Sequence, residues 1–132
     1  YATEIVSALV VAPVRVNEDV KGAVQMFSWM AVDPADGSIN LVFHDRSTPG
    51  LSGTMTGVTV ARSIDGGRTF ANHRLPVEPF DCCARSTFFG DYNGIDARNG
   101  RVVAAFPILT TGGQQRIMAA VLRFRVGTQE LM

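Results

Sequence analysis

The octet Ser63-Ile64-Asp65-Gly66-Gly67-Arg68-Thr69-Phe70 constrains the fold of this chain more than any other feature. It fits Ser-x-Asp-x-Gly-x-Thr followed by an aromatic. A short carboxylate at Asp65 can accept hydrogen bonds from the backbone N–H groups of its own turn, and Gly66 and Gly67 permit positive φ. Thr69 and Phe70 then re-enter a strand, with the ring covering the turn. Such a knot closes a β-hairpin. Ser63, Asp65, Gly67, Thr69 and Phe70 are therefore read as structural residues rather than as chemistry.

A second constraint is internal repetition. Sliding the sequence against itself by 63 positions places Trp29 on Tyr92, Val32 on Ile95, Asp33 on Asp96, Asp36 on Asn99, Gly37 on Gly100, Phe43 on Phe106, Met55 on Met118, Val58 on Val121 and Arg62 on Arg125, without a gap. Aromatic, turn and apolar positions agree together, so two copies of one supersecondary unit are the economical explanation. In the first copy, strands are expected over 25–32, 38–45, 54–62 and 70–75, with a tight turn at 33–37. Within the second of these, Ile39, Leu41 and Phe43 share one face. In the second copy, strands are expected over 93–96, 102–106 and 116–124. Val126-Gly127-Thr128 stands where the octet would be, which leaves a fourth strand in doubt. Both faces of Val102 to Phe106 and of Ile117 to Leu122 are apolar, the pattern of a sheet covered on two sides. No helical pattern of useful length occurs. Period, hairpin order and two-sided burial predict an all-β chain, a partial β-propeller of about two to two and a half four-stranded antiparallel blades.

The totals bound the partners. At 132 residues the chain is one ordinary domain, long enough to bury a core. Twelve basic and twelve acidic residues cancel, with no basic stretch or acidic tail, so neither nucleic acid nor an anionic membrane is expected. No apolar run approaches the roughly 18 residues of a membrane-spanning helix. Ile5 to Val14 is apolar but has no basic flank, and the chain opens on Tyr1 without a start Met. A signal peptide is a poor reading of it, and a piece of something longer is the better one. The cysteines are neighbours, Cys82 and Cys83. A vicinal disulfide would be strained, so two reduced thiols, or one thiol with an outside partner, are preferred, and the compartment stays open.

Read in order, Arg15 to Asp19, Gln25 to Trp29, Ala31 to Pro34, Val42-Phe43-His44-Asp45-Arg46, the octet, and Phe88-Phe89-Gly90-Asp91-Tyr92-Asn93-Gly94 resemble the later blades of bacterial sialidase-like Asp-box propellers. The resemblance covers about residues 15 to 124. It implies a ring of six or so blades, secreted or surface-borne, often associated with glycans. On this reading residues 1–16 give a strand of a preceding or closing blade, 24–75 the first blade with its Asp-box, 76–91 an inter-blade loop, and 92–126 the second blade. Two and a half blades leave hydrophobic flanks and unpaired edges. The remaining blades of a parent propeller, or further copies of the chain, would cover them.

Hairpin connectivity puts the turn at 33–37 and the Asp-box on one rim. The loops 45–53, 76–91 and 106–115 fall on the other, which carries His44, Asp45, Arg46, Asp81, Arg85, Asp91 and Tyr92. A sialidase, as the resemblance implies, has an arginine cluster for the substrate carboxylate, a Tyr nucleophile activated by a Glu, and an Asp acid/base. Asp45, Arg46, Arg85, Asp91 and Tyr92 are the catalytic candidates. Tyr92 aligns with Trp29 and is more simply a blade-packing aromatic. The counterparts of the trio His44-Asp45-Arg46 in the second copy are Pro107, Ile108 and Leu109, so a blade does not require it. Glu78 and Asp81 offer hard oxygen ligands that suit Ca²⁺, and no other metal or cofactor is indicated. His73 reads as a surface strand residue. The expected function is a glycan-associated binding or structural scaffold, the alternative a glycoside hydrolase of exo-sialidase type completed by other blades or by oligomerisation.

Overall fold

The computed structural model describes residues 12–18, 22–47, 53–83 and 88–132. Among the described residues every regular element is a strand. The first sheet is an antiparallel meander of β1 (Gln25–Val32), β2 (Ile39–Asp45), β3 (Met55–Ser63) and β4 (Ala71–Arg74). A two-residue strand, β5 (Phe80–Asp81), adds to the far end of β3 beyond β4. The second sheet is a three-stranded meander of β6 (Gly94–Arg98), β7 (Arg101–Leu109) and β8 (Gln115–Arg123). In place of a fourth strand in the second copy stands a single bridge, Phe124 to Leu131. Of the strand expected within 1–16, residues 1–11 lie outside the described residues and 12–18 form no regular element.

The expected knot is present at the β3–β4 hairpin. Asp65 Oδ1 accepts from the backbone N–H of Arg68 and of Thr69, both at 3.0 Å, and Oδ2 accepts from the Thr69 hydroxyl at 2.6 Å. Ser63 Oγ donates to Asp65 Oδ1 and accepts from Gly67 N–H. These bonds, the Thr69 hydroxyl's foremost, hold the Asp65 carboxyl well below the usual carboxylate range. Gly67 has φ 86°, and a side chain added there would touch Ile39 and the Phe70 ring. The short hairpin of the second sheet is Asn99-Gly100, at φ 51° and 75°, the mirror-image turn that suits the twist of antiparallel strands.

The two sheets lie face to face. Val42, Val58 and Val60 of the first pack against Val102, Ala104, Phe106 and Leu122 of the second in one buried cluster. The 63-residue match is a true repeat only through β2 and β7. Trp29 pairs with Val42 and Gly94 with Ala105, so β1 and β6 correspond at 65 residues; Phe43 pairs with Thr59 and Phe106 with Met118, so β3 and β8 correspond at 59. The turn after β1 is longer than Asn99-Gly100 and the loop after β2 is longer than its counterpart, which produces the slips of two and four. Both slips are even, so each side chain stays on its own face, and the apolar match survives the misregister. The structural counterpart of Trp29 is therefore Gly94. Tyr92 is not a packing aromatic: it precedes β6 and is 77% exposed.

Polar groups fix how the sheets are stacked. Asp33, fully buried, accepts through Oδ1 from Ala35 N–H and from Asn99 N–H across the interface, and through Oδ2 from Gly100 N–H at 2.7 Å. Buried Arg62 donates to Asn40 Oδ1, Asp36 Oδ2 and the Thr128 carbonyl, with its guanidinium 4.6 Å from the centre of the Phe124 ring. Burial opposes ionisation of Asp36, but hydrogen bonds from Ser38 and Gly127 and the Arg62 charge outweigh it and bring its carboxyl to about 2. His73 is not a surface residue, as its half-buried ring sits edge-on to Phe124 at 5.1 Å.

Asp33→Asn keeps the shape of the side chain but sets an NH₂ donor against backbone donors. We expect it to lower the free energy of unfolding by about 2 kcal/mol, measured as a reduced urea midpoint with an unchanged slope.

Candidate functional site

The loops opposite the Asp-box frame a cleft of about 590 Å³. Its first wall comes from the chain after β4. Leu75 N–H still bonds Val58 O, and the segment Pro76 to Pro79 carries the chain to β5, whose Phe80 and Asp81 pair with Thr56 and Met55. Met55, Glu78, Phe80 and Asp81 line this wall; Ile108, Leu109, Thr110 and Thr111, from the end of β7 and the loop after it, line the other. Phe80 and Leu109, one from each wall, pack with Cys82 and Phe89 in an apolar cluster.

His44 packs against that cluster through Phe80 and Phe89. It is fully buried, and its ring meets Phe27, Phe80, Phe89 and Phe106 edge-on, with centroids 5.7, 5.9, 5.4 and 6.4 Å away. Nε2 is 2.8 Å from the Pro107 carbonyl, which can only accept, so Nε2 carries the proton and Nδ1 accepts from Asn93 Nδ2 at 3.3 Å. The imidazole is thus neutral, and burial depresses its pKa against the raising effect of the Pro107 bond. Phe27 reaches the ring from a bulge in β1 between Met26 and Trp29, where its backbone takes φ 56°. That conformation is strained for a bulky residue.

The catalytic candidates do not converge. Asp45 is buried; Oδ1 accepts from Ser47 N–H and Gln25 Nε2, and Oδ2 from the Thr59 hydroxyl and Arg74. Burial raises its pKa, but the bonds from Ser47, Gln25 and Thr59 outweigh it and keep the carboxylate ionised. Its ion-pair partner is Arg74, not its neighbour Arg46, because successive strand residues point to opposite faces. Arg46 instead turns NH2 onto both cysteine sulfurs. Asp91 and Tyr92 are exposed on the same rim but do not line the cleft. Arg85 lies outside the described residues. Glu78 and Asp81, the carboxylates suited to Ca²⁺, do share the cleft wall, although Asp81 Oδ1 already accepts from the Thr54 hydroxyl and Cys83 N–H. Among the described residues no three His, Cys, Asp or Glu side chains gather as a metal site.

Asp33, Arg62 and the inter-sheet role of His44 were not legible as a network in the sequence. One signal was available: the 63-residue offset pairs His44 with Pro107, the residue whose carbonyl it bonds.

The sign of the pH dependence follows from the buried imidazole. In the unfolded chain His44 titrates near 6.5, whereas in the folded chain it resists protonation. Stability is full above about pH 6.5 and falls as the pH drops below it, where only the unfolded chain takes up the proton. Burial lowers the pKa of His73 as well, with the same sign. The urea midpoint is expected to be lower at pH 5 than at pH 7.5, a range in which carboxylates stay ionised, and the difference should shrink in His44→Gln.

A scan against protein-family models and searches of the curated proteins and of the solved structures find no match to this chain.

Proposed function

We propose that this chain forms two blades of a sialidase-like Asp-box β-propeller and serves as a glycan-associated binding or structural scaffold, with its ligand in the loop-rim cleft. One observation carries the reading. Successive antiparallel meanders stack face to face, with their hairpin turns on one rim and their longer loops on the other, and the Ser63-Asp65-Thr69 knot closes the outermost hairpin of the first. The cleft wall suits a hydroxyl-rich ligand. It offers the carboxylates of Glu78 and Asp81 and the hydroxyls of Thr110 and Thr111 beside the apolar ring of Phe80.

The outer face of the second sheet supports incompleteness. Ile117 and Val121 on that face are 69% and 52% exposed; Ala105 and Ala119, which share their side of the ladder, are exposed too, and Val103 is half-buried. Further blades, from a parent propeller or from other copies, would cover this face. By the same resemblance the protein works outside the cell or on its surface.

The geometry favours binding over catalysis. A carboxylate clamp needs a free guanidinium, and Arg46 is committed to two sulfurs. Titration with sialyllactose and with neutral oligosaccharides, followed by calorimetry, is expected to show saturable binding. Glu78→Ala should weaken it about fivefold, the worth of one hydrogen bond, with thermal stability unchanged. Light scattering of the same preparation should show an assembly larger than one chain. A monomeric, folded protein that binds none of these sugars contradicts the proposal, and turnover of a fluorogenic sialoside would replace it with the glycosidase reading.

A further inference from the structure

The two cysteines occupy a built environment that the proposed scaffold function does not use. They sit in a turn directly after β5. In a strand adjacent side chains diverge; here the turn brings the two sulfurs to 3.0 Å from each other, and both are free thiols. Arg46 NH2 bridges them, 2.8 Å from each sulfur. The turn is tied from beneath, by Cys82 N–H on the Thr54 carbonyl and by Cys83 N–H on Asp81 Oδ1. Cys82 is buried and Cys83 exposed, so solvent reaches the pair from one side.

We propose that Cys82 and Cys83 form a two-electron redox site, in which Arg46 is a positioning residue that holds the dithiol ionised and poised to close into a vicinal disulfide. The oxidant is a small-molecule disulfide. The dithiol first loses one proton, and the close sulfurs share the one that remains. The solvent-facing Cys83 sulfur passes that proton to Cys82, 3.0 Å away, as it attacks the external disulfide; the external S–S bond breaks, a Cys83 mixed disulfide forms and one thiolate leaves. Cys82 then attacks the Cys83 sulfur, forms the Cys82–Cys83 bond and expels the second half of the reagent as a thiol. Protein dithiol is oxidised by two electrons and one external disulfide is reduced to a thiol and a thiolate, so charge and protons balance.

Three features favour this chemistry. A cationic neighbour stabilises the thiolate, the species that attacks. Burial raises the Cys82 pKa, but hydrogen bonds from Cys83, Thr56 and Arg46 outweigh it and bring it below the ordinary thiol value. The hydrogen bond to Cys82 pushes the Cys83 thiol up, so in the pair the charge rests on Cys82 and the proton on Cys83. Adjacent Cα atoms are about 3.8 Å apart, closer than the ~4.4 Å at which ordinary disulfides begin. A bond formed there is strained and readily reduced, the property of a reversible rather than a structural disulfide. Oxidation would also remove the anionic partner of Arg46, whose Nε is already buried without a hydrogen-bond partner among the described residues. Because Asp81, which lines the cleft, accepts from Cys83 N–H, the redox state of the pair bears on the cleft wall.

The test is equilibration of the reduced chain in glutathione buffers, followed by acid quench and intact mass. The wild-type chain is expected to lose both free thiols together, become lighter by two hydrogens, and return on treatment with dithiothreitol. Cys82→Ser and Cys83→Ser should each end as a one-glutathione adduct. Accumulation of a glutathione adduct or of disulfide-linked dimers by the wild type would overturn the proposal. Arg46→Gln, checked for folding by circular dichroism, should raise the pH midpoint of iodoacetamide alkylation by about one unit, with Arg46→Lys partly restoring it. An unmoved midpoint in Arg46→Gln would remove Arg46 from the mechanism.

Discussion

A buried carboxylate that reaches from one sheet to the backbone of the next sets the geometry of this molecule. Each sheet satisfies its own ladder, and the apolar cluster between them attracts without direction. Asp33 supplies direction, because it accepts from the Asn99 and Gly100 amides and thereby locks the second hairpin over the first. Other side chains join the two halves in the same way. Asn93 donates to the Phe27 carbonyl, Arg62 to the Thr128 carbonyl, and His44 to the Pro107 carbonyl. Buried polar groups left unpaired are costly, so a shifted stacking would be penalised at every one of these points.

The octet and the hairpin order were legible because they depend on neighbours in sequence. Asp65 finds its donors within four residues, and Asn99-Gly100 dictates a tight turn by its own backbone preference. Which sheet faces which was legible only in outline. The repeat was visible, but its register was not, because loop-length differences of two and four residues preserve the face of every strand residue and so leave no trace in the apolar pattern. Tyr92 was misplaced for that reason. His73 looked like an isolated surface histidine because Phe124 lies 51 positions away in the sequence.

The polar residues that resembled chemistry divide by burial. His44 and Asp45 face opposite ways from the end of β2, and both are spent on structure, one as a neutral pin between sheets, the other as an acceptor for Ser47, Thr59 and Arg74. The groups left for ligands or reagents lie farther along the same rim: the carboxylates and hydroxyls of the cleft, and the dithiol beside it. His44 has no ring nitrogen left for a ligand, because Nε2 donates to the Pro107 carbonyl and Nδ1 accepts from Asn93, and its ring is enclosed by four phenylalanines.

Asp33 and the shared apolar cluster make the two sheets one cooperative unit. Native-state hydrogen exchange, followed residue by residue, measures that cooperativity. The amides of β2 and β7 are expected to share one opening free energy equal to that of global unfolding, and to lose protection together when Asp33 is altered. Amides of β6, β7 and β8 exchanging through a separate, lower-energy opening while the first sheet stays protected would contradict it.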